Sequence, residues 1–229
     1  MSAPRASSVA PRIGVLGGTF DPIHCGHVAA AAAARDALDL SKVLVTPSHV
    51  PPHRAFRPVA SAYHRFAMAA LAVVNEPRLE ASDDELQVDG PSYTVDTLER
   101  LHAKGLRPSQ IFFITGVDAF GEIATWKRYP DVLELAHFVV VARPGHDIDA
   151  LGDRMPSLAD RMRRADRPLH ESANLLIHLL QAPTPDVSST MVRERLNRGE
   201  AITGLVPALV EAHIVKHRLY GTEQLHEEI

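Results

Sequence analysis

The sequence predicts an α/β fold in which a doubly wound parallel sheet is flanked by helices and followed by a small C-terminal helical portion. Short apolar runs bounded by turn residues alternate along the chain with longer segments of helical periodicity. The short runs are continuously apolar, which is typical of strands that are buried on both faces. With 229 residues, 45% of them hydrophobic, the chain is long enough for one main domain with a sizeable core.

The elements follow one another in a regular order. We predict strands at residues 13–16, 42–46, 79–81, 110–115, 139–141 and 174–181. We predict helical segments at residues 28–38, 60–75, 94–104, 119–122, 132–135, 189–198 and 208–219. In an open sheet of this Rossmann-like kind, ligands bind beyond the carboxyl ends of the strands. The segments that follow residues 16 and 115 are therefore the first places to look for a site.

Three segments lie outside this pattern. Residues 1–11 are rich in Ser, Ala, Pro and Arg, and we expect a disordered leader there, followed by a single domain over residues 12–221 and a tail at 222–229. Residues 145–170 carry many Arg and Asp residues among few large apolar ones, which predicts a solvated insertion. An exposed helix with ion pairs is favoured for that insertion over a substrate lid or an oligomer contact.

Composition excludes several classes of protein. A net charge of −4 argues against non-specific binding of nucleic acid. The single cysteine excludes an internal disulfide, and no Cys/His cluster has the spacing of a structural zinc site. No apolar run is long enough to cross a bilayer, and the leader lacks the apolar centre of a signal peptide. We expect a cytoplasmic protein with no nucleic-acid or membrane partner.

The most informative stretch is residues 17–27, GGTFDPIHCGH, between the first strand and an alanine-rich helix. Gly17 and Gly18 allow the backbone to turn and approach a ligand, and a helix start offers unpaired N–H groups and a positive dipole end. His24 and His27 lie three residues apart, so both imidazoles can face one point there. The stretch predicts a phosphate site. It is neither a Walker loop, which needs Gly-Lys-Ser/Thr, nor the Gly-x-Gly-x-x-Gly fingerprint.

A second helix start has similar chemistry. Ser188, Ser189 and Thr190 precede Arg193 by about one turn, which matches an anion cradle, although Ser188 could also be a plain N-cap. Asp118 follows a predicted strand end, where a carboxylate can accept hydrogen bonds from ribose hydroxyls or cap a helix that starts at residue 119. Trp126 lies in a polar stretch, which favours a stacking platform over a core anchor.

These segments carry a resemblance to a known family. Residues 17–27 resemble the His-x-Gly-His signature of the nucleotidyltransferase superfamily, and residues 188–193, SSTMVR, resemble its Ser-Ser-Thr-x-x-Arg signature. Between them, residues 92–98, residues 115–120 and Trp126 are similar to the bacterial nicotinate mononucleotide adenylyltransferases. The resemblance spans about residues 12–221.

The resemblance implies transfer of the adenylyl group of ATP, accompanied by Mg²⁺, to nicotinate mononucleotide, with release of pyrophosphate, in NAD biosynthesis. It implies that three residues act on the phosphates: His24, His27 and Arg193. Those implied to bind ATP are Gly17, Gly18, Thr19, Phe20, Gly116, Asp118, Ser188, Ser189 and Thr190. Those implied to bind nicotinate mononucleotide are His53, Arg54, Ser92, Tyr93, Thr94 and Trp126. No protein ligand for a metal is expected.

Two alternatives stay open at this point. A phosphopantetheine adenylyltransferase would share the first and last signatures, but it normally has a shorter chain and lacks the Ser-Tyr-Thr and Trp features. A catalytically silent nucleotide-binding protein has no physical need for His24, His27 and Arg193 together.

Arg54 stands where the family commonly has lysine, which keeps the charge but changes the hydrogen-bond geometry. The sequence also leaves a homo-oligomer open.

Overall fold

A computed structural model of the chain describes residues 10–52, 58–142, 147–165 and 174–221. Seven strands in these ranges form one sheet: β1 (Ile13–Gly18), β2 (Lys42–Pro47), β3 (Leu79–Ala81), β4 (Ile111–Gly116), β5 (His137–Ala142), β6 (Met162–Arg164) and β7 (Ile177–Gln181). Their order across the sheet is β3-β2-β1-β4-β5-β7-β6, and all neighbouring strands are parallel. The predicted parallel sheet is confirmed.

Helices cover both faces of this sheet. They are α1 (Cys25–Ala37), α2 (Ala62–Val73), α3 (Thr94–Ala103), α4 (Val117–Gly121), α5 (Ala150–Arg154), α6 (Ser189–Asn197) and α7 (Ala208–Lys216). Alternate residues of β4 point to opposite faces: Phe112 and Ile114 pack with α1, α2, α6 and α7, whereas Ile111 and Phe113 pack with α3, α4 and α5. The doubly wound architecture follows from this alternation. The helical segment predicted at 132–135 is a 3-10 turn, Asp131–Glu134.

The direction of winding changes between β1 and β4. From β1 the chain proceeds outward through β2 and β3, then returns to add β4 on the other side of β1. A crevice opens at such a switch point, at the carboxyl ends of the two strands. The segments that follow β1 and β4 meet there, which sets the location of the candidate site.

The segment predicted as a solvated insertion contributes more than a surface helix. Leu151, Leu158 and Met162 are buried, and Met162 begins the edge strand β6, which pairs with Ile177 of β7. Arg161 donates to the Leu133 and Leu175 carbonyls as well as forming an ion pair, so it holds the segment against the sheet. The sequence analysis missed β6 because three residues, two of them arginine, show no strand periodicity. Residues 143–146 and 166–173 lie outside the described part of the chain.

In the described ranges, no helix combines the length and apolar character that a bilayer crossing requires.

Candidate active site

A cavity of about 250 Å³ opens at the carboxyl ends of β1 and β4. Its lining includes five of the residues predicted to bind nucleotide: Gly17, His24, His27, Gly116 and Asp118. The cavity is therefore where the switch point of the sheet and the predicted phosphate site coincide.

Close packing explains two of the glycines of the first motif. A Cβ at Gly18 would lie 2.7 Å from Cε1 of Phe20, and one at Gly26 would lie 3.2 Å from the Pro185 carbonyl oxygen. Phe20 itself is buried with φ of 52°, so its ring packs on Gly18 inside the loop. The loop can adopt this conformation because Gly18 and Gly26 have no side chain. The buried Phe20 ring thus supports the loop backbone at Gly18, and the neighbouring Thr19 is half-buried.

The two histidines of the first motif lie together. Their rings are stacked, with centroids 3.6 Å apart and planes inclined by 28°. Helix α1 begins at Cys25, earlier than predicted, and His24 is its N-cap residue. The backbone N–H of His24 donates to Nδ1 of His27 at 3.2 Å. Because that nitrogen accepts a hydrogen bond, neutral His27 carries its proton on Nε2, where it can be donated to a phosphate oxygen.

The second motif contacts the first directly. Ser189 Oγ donates to the Pro22 carbonyl oxygen at 2.8 Å, across 167 residues of chain. Arg193 Nη1 donates to the Asp21 carbonyl oxygen at 2.6 Å, and its Nη2 donates to Thr190 Oγ1 at 3.2 Å. Both predicted helix starts, α1 and α6, therefore meet beside the same loop.

Ser188 has the capping role that the sequence left open. It is the N-cap residue of α6, and its Oγ accepts from the backbone N–H of Met191 at 3.1 Å. Such a cap satisfies one of the N–H groups that a helix start leaves without a partner. The contact defines where α6 begins and so where Ser189 and Arg193 lie.

Asp118 does not cap a helix. Helix α4 begins at Val117, with Gly116 as its N-cap residue, so the helix starts two residues earlier than the sequence analysis expected. The capping alternative for Asp118 is wrong for that reason. The Asp118 side chain is exposed at the cavity, where its carboxylate can accept hydrogen bonds from a sugar.

Ser92, Tyr93 and Thr94 lie at the start of α3. Tyr93 is the N-cap residue and makes no side-chain capping bond, and Thr94 begins the helix. Ser92 joins this start to the segment after β2, since its Oγ accepts from His49 N and its N–H donates to the Val50 carbonyl oxygen, both at 2.8 Å. A helix start offers backbone N–H groups and a positive dipole end, which suit a carboxylate ligand.

Trp126 lies against the core beneath this helix start. It meets the ring of Phe113 edge to face at 6.0 Å and that of Phe138 at 6.4 Å, and it is half-buried. One part of the indole is therefore a core contact, while its exposed part remains accessible for stacking. Nearby, the Lys127 ammonium lies 4.6 Å from the centroid of the Tyr93 ring. The same ammonium forms an ion pair with both carboxylate oxygens of Asp96, at 2.9 Å, in the first turn of α3.

Sequence reasoning missed a buried carboxylate that organises the first motif. Asp21 is 1% exposed, and its carboxylate accepts from Val59 N at 2.8 Å, Ala60 N at 3.0 Å and Tyr220 Oη at 2.7 Å. Burial and the Asp21 carboxylate raise the pKa of the Tyr220 hydroxyl, which keeps it a donor. Asp21 lies inside the first motif, but the sequence analysis assigned its carboxylate no role. Nothing in the sequence indicated Tyr220.

Glu85 is a second buried carboxylate that the sequence did not reveal. Its Oε1 accepts from Thr97 Oγ1 at 2.7 Å, which attaches the segment before Ser92 to the first turns of α3. Burial raises the pKa of Glu85, and hydrogen bonds from Ser92 and Thr97 oppose that rise. The remaining predicted residues, His53 and Arg54, lie outside the described residues.

An open parallel sheet with two helix starts that meet at its switch point is the arrangement that the sequence analysis expects of a nucleotidyltransferase. The sequence model of the cytidylyltransferase-like family matches residues 15–195. A relative described as a probable nicotinate-nucleotide adenylyltransferase, from Desulfatibacillum aliphaticivorans, is 41% identical over 219 residues, covering 91% of this chain and 99% of that one. One of the same description from Thermus thermophilus is 41% identical over 210 residues, with coverages of 91% and 99%.

Solved structures agree on the fold. The nicotinic acid mononucleotide adenylyltransferase of Plasmodium falciparum, complexed with NaAD, matches with a TM-score of 0.72 at 16% identity, over 94% of this chain and 100% of that one. The chain belongs to the cytidylyltransferase-like family, and the relatives that it matches along nearly their whole length are described as probable nicotinate-nucleotide adenylyltransferases. It is a nucleotidyltransferase.

Proposed function

We propose that the protein transfers the adenylyl group of ATP to nicotinate mononucleotide, giving nicotinate adenine dinucleotide and pyrophosphate in NAD biosynthesis. The observation that carries the proposal is the meeting of the α1 and α6 starts at the loop that follows β1, through the contacts of Ser189 and Arg193 with residues 22 and 21, beside a cavity that His24 and His27 line. Relatives at about 40% identity that bear the name of this activity support it.

The reaction needs positioning and charge neutralisation more than proton transfer. An oxygen of the nicotinate mononucleotide phosphate attacks the α-phosphorus of ATP in line, a new P–O bond forms, and the bond to the β-phosphate bridging oxygen breaks. The attacking phosphate is already anionic, so no general base is required. Negative charge accumulates on the bridging and leaving oxygens, and donors held in place before the reaction stabilise it.

His24, His27 and Arg193 supply those donors. The hydrogen bond that Nδ1 of His27 accepts places the ring proton on Nε2. The stacked His24 ring limits how the His27 ring can turn. Arg193 lies one turn into α6, where its cation adds to the positive end of the helix dipole for the β- and γ-phosphates. Mg²⁺ enters as part of the substrate MgATP, because triphosphate oxygens are the hard ligands that it prefers.

The acceptor half lies at the start of α3. The positive end of the α3 dipole, at Tyr93 and Thr94, favours the carboxylate of nicotinate over the neutral amide of nicotinamide. The exposed part of Trp126 offers a surface for the pyridine ring. A preference for the acid follows from this electrostatic difference.

The direct test is pyrophosphate release with MgATP and three acceptors in parallel: nicotinate mononucleotide, nicotinamide mononucleotide and phosphopantetheine. We expect release with the nicotinate compound and a product of the mass of nicotinate adenine dinucleotide. Release with phosphopantetheine instead would identify a phosphopantetheine adenylyltransferase and would contradict the binding roles of Tyr93 and Trp126. No release with any acceptor, together with retained ATP binding, would identify a silent nucleotide-binding protein. The cytoplasmic location and the oligomeric state stay predictions of the sequence.

A further inference from the structure

A buried guanidinium lies behind the first motif and takes no part in the mechanism above. Arg65, in α2, is 1% exposed and is the largest side chain buried to this degree in the described residues. Burying a cation is costly unless hydrogen bonds replace its water. Three backbone carbonyls do so: Arg65 Nη1 donates to Thr19 O at 2.7 Å, Nη2 to His49 O at 3.0 Å and Nε to Ala60 O at 3.3 Å.

Two of these carbonyls belong to the segments that carry the two halves of the candidate site. Thr19 lies in the glycine loop on the ATP side. His49 follows β2, and its N–H donates to Ser92 Oγ at the start of α3, on the acceptor side. Arg65 therefore bridges Thr19 and His49. The hydrogen bond from His49 to Ser92 extends this connection to the acceptor half. A second contact runs alongside, since Ser48 N donates to the Gly18 carbonyl oxygen at 2.9 Å.

Resting on the proposed function, we propose that Arg65 is a positioning residue that sets the placement of the ATP half of the site relative to the acceptor half. In-line transfer requires reacting atoms about 3–3.5 Å apart and aligned, and a misplacement of about 1 Å can lower the rate about 10²-fold. The planar guanidinium fork contacts several carbonyls at fixed angles, whereas a lysine ammonium acts as a single point. Each half can bind its own mononucleotide without Arg65, but the two halves are then misaligned.

The experiment compares ligands that occupy one half with a ligand that spans both. Arg65→Lys and Arg65→Met are made beside Arg35→Met, which removes another buried guanidinium. Arg35 lies at the far end of α1, where it bonds Asp36 and the Pro77 carbonyl oxygen. Dissociation constants are measured by calorimetry for ATP, for nicotinate mononucleotide and for nicotinate adenine dinucleotide. kcat is measured with both substrates saturating.

For the Arg65 variants we expect each mononucleotide to bind within about threefold of wild type and the dinucleotide to bind about tenfold more weakly or worse, because a spanning ligand depends on the relative geometry of its two sites. We expect kcat to fall about 10²-fold, with Lys falling less than Met. Arg35→Met should lower the melting temperature and leave kcat and all three dissociation constants unchanged. If Arg65 only stabilised the fold, its variants would not weaken the binding of the dinucleotide more than the binding of each mononucleotide.

Three results would overturn the proposal: an unchanged kcat, an equal loss of affinity for all three ligands, or failure of both Arg65 variants to fold at 25 °C while Arg35→Met folds. The last result would make Arg65 a stability residue only. Failure of the proposed function is a separate result, since it would show as wild-type protein that does not turn over nicotinate mononucleotide.

Discussion

Acidification should destabilise this protein through two histidines at the amino ends of β5 and β7, remote from the cavity. His137 and His178 are 7% and 2% exposed, and their ring centroids lie 5.3 Å apart. Burial, aided by the neighbouring Arg12 charge, lowers the pKa of His137 to about 4 and that of His178 to about 3. Arg161 adds to the effect on His137, whose Nδ1 accepts from Leu176 N at 3.0 Å.

The sign of the effect follows from proton binding. In the unfolded chain a histidine titrates near pH 6.5, so between pH 6.5 and 4 the unfolded state binds protons that the folded state does not. The stability contributed by the neutral rings is therefore complete above pH 6.5 and is lost as the pH falls towards 4. At pH 5 each ring costs about 2 kcal/mol, and the pair about 4 kcal/mol. That is a large share of a typical folding free energy of about 5–15 kcal/mol.

The assay is urea unfolding at pH 7.5 and pH 5, followed by far-UV circular dichroism and the fluorescence of the single tryptophan. The test variant combines His137→Asn, whose side-chain oxygen can still accept from Leu176 N, with His178→Leu. His217→Gln removes an exposed histidine that contacts His64 and His213 rather than the β5–β7 pair, and it is the control. We expect wild type and control to lose about 4 kcal/mol more than the double variant between the two pH values. An equal loss in all three proteins would refute the reasoning.

Three further predictions concern the site and its supports. His27→Ala should lower kcat about 10²- to 10³-fold while leaving the fold intact by circular dichroism, because a donor to developing charge is removed; near-normal pyrophosphate release would contradict that role. Arg193→Ala should raise KM for ATP, whereas Arg195→Ala, which removes a surface pair with Glu200, should not; equal KM values would remove the assignment. Tyr220→Phe should lower the free energy of unfolding by about 1.5–3 kcal/mol, since the Asp21 carboxylate loses a buried donor; unchanged urea unfolding would show the bond to be unimportant.

Local sequence patterns determined the order of strands and helices and the two motifs at the site. Strand β3 and the start of α3 lie at the predicted residues, because apolar runs and capping positions depend on neighbours in the chain. The predicted phosphate site at residues 17–27 could be recognised for the same reason, because its glycines and histidines and the helix that follows are contiguous in the sequence. The roles of His24, His27 and Arg193 in binding substrate stay predictions, although the fold brings them together.

Tertiary structure decided how those pieces are held. Asp21 accepts a hydrogen bond from Tyr220 across 199 residues, and Arg65 reaches the Thr19 carbonyl across 46. Such bonds join polar side chains to distant groups, often backbone atoms that every residue possesses, so they leave no periodicity or motif in the sequence. Strand β6 was missed for a related reason, since its place in the sheet depends on the partner strand β7 rather than on its own three residues. The sequence by itself predicted which residues form the site, and only the tertiary structure showed that the buried charges of Asp21 and Arg65 hydrogen-bond to the segments around it.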